Sequence, residues 1–293
     1  MEKHIDHVRA EDKRLRQEAK MNGGRYQSNQ EIKISRQKVE EKKAKDLREN
    51  VDKRHYSVQM TEAHFNKVVS HELKGLVFSM ATLLETKGKG RVTDRNYNDL
   101  NIKEIADRIG KNRNTISPLL DQAVEEGMIS VRKEGRDKYF TLSKEFYGIG
   151  NLGRNIPHFV RLIHTEVLKV CKKLNLEELG LLSDLINFMH PELFILVRNP
   201  LEPSEKYLEI LRPKDIAVIF NMDTPKVNRT IRKLIALEVF FRMEVGDKET
   251  RTITKVIGAD SNFFSKKVER VPLDKIKKAI SQTALSNKNH IKY

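Results

Sequence analysis

Tryptophan is absent and cysteine occurs once, as Cys171, in a chain of 293 residues. A single cysteine cannot close an internal disulfide, so the fold must be held by packing, which suits a reducing cytoplasm. Cys171 lies in the apolar stripe VLKVCKKL, a setting that fits a small core side chain better than a nucleophile. No apolar run approaches the roughly 20 residues that cross a bilayer. The opening MEKHIDHVRAEDKRLRQ has no apolar core, so a secretory leader is not expected. Recognisable catalytic motifs are missing too. There is no GxxxxGKS/T phosphate loop, no HExxH, no nucleophile elbow and no paired-carboxylate motif. His158, His164 and His190 are scattered and keep no metal-ligand spacing. Tyr139, Tyr147 and Tyr207 have no Arg/His constellation near them in sequence, so tyrosine attack on DNA is not expected. The chain is expected to be neither an enzyme nor a cofactor or metal protein.

What the chain has in excess is positive charge. Lys and Arg number 56 against 41 Asp and Glu, a net charge of +15. Such a balance favours a polyanionic partner. The second abundant feature is self-similarity. Residues 101–142 read as helix, tight turn, helix and two-stranded wing, a winged helix. A shift of 111 residues (216 − 105) brings the pattern round again. Ile105 and Ala106 fall on Ile216 and Ala217, Ile116 on Val227, Leu120 on Ile231, Val124 on Ile235 and Ile129 on Phe240. Repeats of this kind fix the architecture before any other detail. The expected fold is mainly α with small β-hairpin wings, an α+β chain of two tandem winged-helix domains behind an N-terminal helical arm.

Residues 1–56 form the arm, with sixteen Lys/Arg and eleven Asp/Glu (16 − 11 = +5). Gly23 and Gly24 break it, each costing about 1 kcal/mol in a helix relative to Ala. A short helix before the break and a longer one over 31–52 are expected, mixed in charge and partly disordered. A solvated tail, a phosphate-tracking arm and a dimerising helix all fit this composition.

The first winged helix is assigned to 57–147. Leu73, Leu76, Val77, Met80, Leu83 and Leu84 make one apolar helix face. Asn101 caps the next helix, and Gly110 supplies a turn with positive φ. Asn112 caps the helix that follows, whose outward residues are Arg113, Asn114, Thr115 and Ser117. Side chains at that end of a recognition helix meet base edges, where Arg suits guanine and Asn suits adenine. Pro118 should remove a backbone bond and bend this helix. Arg132, Lys133, Arg136 and Lys138 crowd the wing, where phosphate contact is expected.

Residues 148–175 read as a linker and a connector helix over 158–174. The second winged helix is assigned to 176–260. ELFILVRNP reads as a strand, Asn221 takes the place of Gly110, and Asp223 or Thr224 caps the second recognition helix. Lys226, Asn228, Arg229, Arg232 and Lys233 are expected to face outward, and Arg242, Lys248, Arg251 and Lys255 to decorate the second wing. Phe240 and Phe241 are adjacent in a strand, so one is expected inside and one outside. This copy is the more basic, which favours phosphate contact; the Arg/Asn/Thr/Ser set of the first favours base reading. Residues 261–293 read as a basic tail containing one short helix, LDKIKKAI.

The stretch LNIKEIADRIGKNRNTISPLLDQAVEEGMI resembles helix-turn-helix regulators of the multiple-antibiotic-resistance (MarR) type. The tandem arrangement resembles plasmid and phage replication initiators, in which two winged helices bind origin repeats. That resemblance implies binding to repeated or two-part DNA sites, often as a dimer. The expected function is sequence-specific binding of double-stranded DNA by a transcription regulator or replication initiator of a phage or plasmid. A homodimer and the replication or transcription machinery are the other expected partners. An adaptor that binds DNA without sequence preference, such as a helicase loader or nucleoid-associated factor, is the alternative.

Overall fold

The computed structural model describes residues 52–85, 89–149, 158–247, 252–267 and 269–282, together with parts of 14–22 and 31–41. The chain divides into two compact units, Met1–Asp52 and Lys53–Tyr293. The described parts of the first unit are helical on both sides of the glycine pair. The rest of the arm lies outside the described residues.

The second unit consists of two halves with one order of elements. The first runs β1 (Tyr56–Met60), α1 (Thr61–Asn66), α2 (His71–Ala81), α3 (Ile102–Ile109) and α4 (Arg113–Glu125). It closes with the hairpin β2 (Ile129–Glu134) and β3 (Asp137–Leu142), then β4 (Tyr147–Gly148). The second half runs β5 (Phe159–Ile163), α5 (His164–Cys171), α6 (Leu176–Leu185), α7 (Pro213–Ile219) and α8 (Thr224–Ala236). It closes with β6 (Phe240–Asp247), β7 (Thr252–Ala259) and β8 (Phe264–Ser265), and α9 (Leu273–Gln282) follows. The protein is α+β with small antiparallel sheets.

The halves meet on a local two-fold axis. One sheet has the order β4-β1-β5-β8, so each half contributes two neighbouring strands. Val58 opposes Arg161 at the centre of the β1–β5 pair. Outward from there, Gln59 pairs with Tyr147 and, in the other half, Leu162 pairs with Phe264. The expected connector helix over 158–174 is therefore corrected: FVRLI is a strand. Its position between β1 and β8 decides this, because both its edges are hydrogen-bonded. The helix begins only at His164, in the place that α1 holds in the first half.

Helices α2 and α6 cross on the same axis with their backbones almost touching. A Cβ on Gly75 would stand 1.9 Å from the Leu176 carbonyl oxygen, and one on Gly180 would stand 1.9 Å from that of His71. The contact is reciprocal, as a two-fold interface requires. Leu73, Leu76, Leu179 and Leu182, all fully buried, fill the flanks of the crossing.

One side of the axis is polar. Asp184 is buried and receives the Lys74 ammonium at 2.7 Å, with His64 Nδ1 and His71 Nε2 each at 3.4 Å. Burial alone would raise the Asp184 carboxyl, but His64 and Lys74 hold it below the usual range. Burial pushes both imidazoles down, against the pull of Asp184. Gln59 donates to Ser183 O and Asn187 Oδ1, both at 2.8 Å, and accepts from Tyr147 OH at 3.1 Å. The other side is apolar: Leu162, Leu179, Phe78 and Phe264 are fully buried there.

Two further expectations change. ELFILVRNP forms no ladder; Ile195, Leu196 and Val197 each bridge a different partner, and Phe194 just before them has φ 57°. Phe240 and Phe241 are both buried. Gly258, across the hairpin from Phe241, leaves the space for this: a Cβ there would stand 2.2 Å from the Phe241 ring. The tail helix α9 docks rather than projecting, with Ile276 and Ile280 buried. Among the described residues no helix is long and apolar enough to cross a membrane.

Candidate nucleic-acid interface

Local sequence builds the first helix pair. The Asn101 side chain accepts from Glu104 N at 3.1 Å, while the Glu104 carboxylate accepts from Asn101 N at 2.9 Å, a reciprocal cap. Gly110 ends α3 at φ 69°. Asn112 Oδ1 then accepts from Asn114 N at 2.8 Å and starts α4. Ile116, Leu120 and Ala123 are the buried face of α4. Arg113, Asn114 and Thr115 are exposed and Ser117 is half-buried. The helix continues through Pro118 to Glu125.

Lys111, which the sequence did not single out, ties this turn to the other half. Its ammonium donates to the Cys171 carbonyl at the end of α5, and reaches the carbonyls of Ile109 and Gly110 at 3.4 Å. Cations suit helix C-termini, where carbonyls lack partners. Burial pushes its pKa down.

The first hairpin is basic but partly neutralised. Arg132 pairs with Asp99 at 2.6 Å and Glu134 at 2.8 Å, and its guanidinium lies 5.5 Å from the centre of the Tyr139 ring. Lys138 pairs with Asp121 at 2.7 Å. Lys133 and Arg136 are exposed and make no ion pair among the described residues. Lys133 faces Lys138 across the ladder, and the Asp121 carboxylate offsets that repulsion.

In the second half Asn221 carries the turn at φ 49°. Asp223 occupies the cap position without a side-chain bond, so Thr224 is the first residue of α8. Lys226 pairs with Glu177, and Lys233 pairs with Glu178 at 2.7 Å. Both carboxylates lie in the first turn of α6. These two lysines are thus held against α6 inside the unit. The Asn228 amide turns back to the Thr224 carbonyl at 3.1 Å. Arg229, Arg232 and Arg242 are exposed. Lys255 is 3.4 Å from Glu244. Lys248 and Arg251 lie outside the described residues.

The candidates therefore separate by what already binds them. Of these candidates, the exposed cations with no ion pair among the described residues are Arg113, Lys133 and Arg136 in the first half, and Arg229, Arg232 and Arg242 in the second. Five of these six are arginine, whose planar fork suits phosphate and guanine. The paired lysines draw on carboxylates distant in sequence, which no local pattern reveals. No protein-family model, curated protein or solved structure matches this chain.

Proposed function

We propose that the chain binds double-stranded DNA sequence-specifically through two winged helices, as a transcription regulator or replication initiator of a phage or plasmid. One observation carries the reading. Each half ends in helix, turn, helix and hairpin, with unpaired arginines on the second helix, and a glycine-to-glycine crossing joins the halves in one compact unit. Two linked readers gain affinity through effective concentration, which suits repeated or two-part sites. The work takes place in the cytoplasm, on a homodimer or a single chain. In this reading α4 meets bases through Arg113 and Asn114, while α8 meets phosphates through Arg229 and Arg232.

The test is a titration of DNA fragments carrying candidate sites, repeated across salt concentrations. If all six free cations neutralise phosphates, log K falls against log salt with a slope of about 5. Arg113→Ala with Asn114→Ala should erode discrimination between sites by about 1–3 kcal/mol per lost bidentate contact. Arg229→Ala with Arg232→Ala should weaken every fragment alike and lower the salt slope by about 2. Equal affinity of the unaltered chain for all fragments would overturn sequence specificity and leave the adaptor reading.

A further inference from the structure

The local two-fold axis exposes one place where the halves differ in a way that packing does not need. Between α3 and α5 lies a cavity of about 580 Å³. Leu83 and Leu168 line it. On the other side of the axis the same positions are Phe188 and Phe65, whose rings meet edge-on at 5.7 Å. Phe220, the equivalent of Ile109, adds a third ring 6.0 Å from Phe188. Aromatic rings meet on one side of the molecule, with Phe65 half exposed, where a cavity remains open on the other.

The open side is furnished with polar groups. Glu85 and His164 border the cavity. Glu85 Oε1 and His164 Nε2 are buried and have no hydrogen-bond partner among the described residues. Buried polar atoms are normally satisfied, so each such exception calls for an explanation. The other Glu85 oxygen is 3.7 Å from Arg91. Burial pushes the His164 imidazole down to about 4, so at neutral pH the ring is uncharged and able to donate or accept one bond.

Arg95, Arg108 and Lys172 also line the cavity, and none has an ion pair among the described residues. Arg95 and Lys172 are exposed and Arg108 is half-buried, so the cations stand at the mouth and the unsatisfied atoms at the floor. The loop at the mouth is firm, because Asp94 accepts from the backbone N–H of Asn96 and Asn98 at 2.8 and 2.9 Å.

A ligand that answers these groups must be strongly anionic at one end and donate an N–H at the other. It must also fit a space typical of small-molecule sites. We propose that the cavity between α3 and α5 binds a nucleoside 5′-phosphate, with its phosphate on Arg95, Arg108 and Lys172 and its base edge on Glu85 and His164. The carboxylate oxygen takes an N–H of the base edge, which each of the four common bases presents. The site stands apart from the DNA-facing residues and rests on none of them.

Calorimetric titration of the full chain with AMP, CMP, GMP and UMP tests this. All four should bind, and ribose 5-phosphate, which has no base edge, should bind more weakly. Arg108→Glu, a change at the mouth, should weaken them by at least about tenfold. Glu85→Ala, which removes the acceptor, should weaken all four and leave ribose 5-phosphate unchanged. Circular dichroism melts of each variant establish that it is folded. A 5′-phosphorylated oligonucleotide beside its 5′-hydroxyl twin separates the two sources of this chemistry. A gain from the 5′-phosphate that Arg108→Glu removes assigns the cavity to a strand end, and equal affinity assigns it to the free nucleotide. No binding of any of the four up to about 1 mM, or unchanged affinity in Arg108→Glu, would overturn the proposal.

Discussion

Replacing Gly75 or Gly180 by alanine sets two effects in opposition, and the structure decides between them. In an isolated helix the change gains about 1 kcal/mol, because glycine is the poorer helix former. At the crossing the new methyl on residue 75 would stand 1.9 Å from Leu176 O and 2.8 Å from Gly180 N. On residue 180 it would stand 1.9 Å from His71 O and 2.5 Å from His71 C. All these atoms are backbone, so no rotamer change relieves the contact. The helices must separate by about 1.5 Å to bring it from 1.9 Å to an ordinary 3.4 Å. That separation pulls apart Leu73, Leu76, Leu179 and Leu182, which are fully buried. The net cost should reach about 3 kcal/mol, at the upper end for overpacked cores. For a unit of this size the melting temperature falls by about 6–12 °C. The double variant should cost less than the sum, because one separation relieves both clashes. Urea denaturation followed by circular dichroism measures each loss. An unchanged or raised midpoint in either single variant would refute the account of the crossing.

Asp184→Ala leaves the Lys74 ammonium buried without its partner and should cost about 3–5 kcal/mol. Lys74→Leu with Asp184→Ser copies the Leu179 and Ser79 of the other side and should recover most of that loss; equal losses in chemical denaturation would count against the buried pair. Glu238 sits at φ 58° where the first half has Gly127 at 69°. Glu238→Gly should therefore raise stability by up to about 1 kcal/mol, and Gly127→Ala should lower it by a similar amount. A methyl on Gly127 would meet nothing within 4 Å, so the backbone is its sole cost. Stability should also depend on pH through His164. Folding holds this ring neutral with a pKa of about 4, whereas the unfolded ring takes its proton near 6.5. Its contribution is complete above about pH 6.5 and shrinks as pH falls toward 4, by about 2 kcal/mol at pH 5. His64 and His71, also depressed by burial, act in the same direction. Denaturation midpoints across this range should lose part of their slope in His164→Gln.

What could be read in the sequence was local. The caps at Asn101 and Asn112, the glycine turn and the hairpins depend on residues a few positions apart, and each forms where its pattern stands. The four-stranded sheet could not be read that way. β1 and β5 are five residues long, β4 and β8 are two, and the central pair joins residues 56–60 to 159–163. Nothing near either strand names its partner. Two signals of the crossing are nevertheless present in the sequence. A lone glycine within each of the apolar helices HELKGLVFSMA and LEELGLLSDL marks a close approach of backbones. Lys74 and Asp184, each inside those same apolar helices, mark a buried pair. The internal pairing of Lys226 and Lys233 had no such signal, because a lysine on the polar face of a helix reads alike whether it meets solvent or a carboxylate distant in sequence.

The polar side of the axis also explains how two similar halves avoid pairing wrongly. The glycine crossing is common to both and by itself would join any half to any other, including halves of different chains. Lys74 and Asp184 remove that freedom. In the native arrangement Lys74 on α2 faces Asp184 on α6, and the equivalent pair across the axis is Leu179 with Ser79. Two first halves joined by the same crossing would place Lys74 opposite Ser79 twice, burying two ammonium groups without a carboxylate. Two second halves would place Asp184 opposite Leu179 twice, burying two carboxylates against a leucine. Each mistake leaves uncompensated buried charge, which costs far more than the pair itself contributes. Only a first half with a second half satisfies every group, and within one chain that pairing carries no concentration penalty. The asymmetry that looks like decoration on a repeated fold is therefore what holds the two helix-turn-helix units in one defined relation.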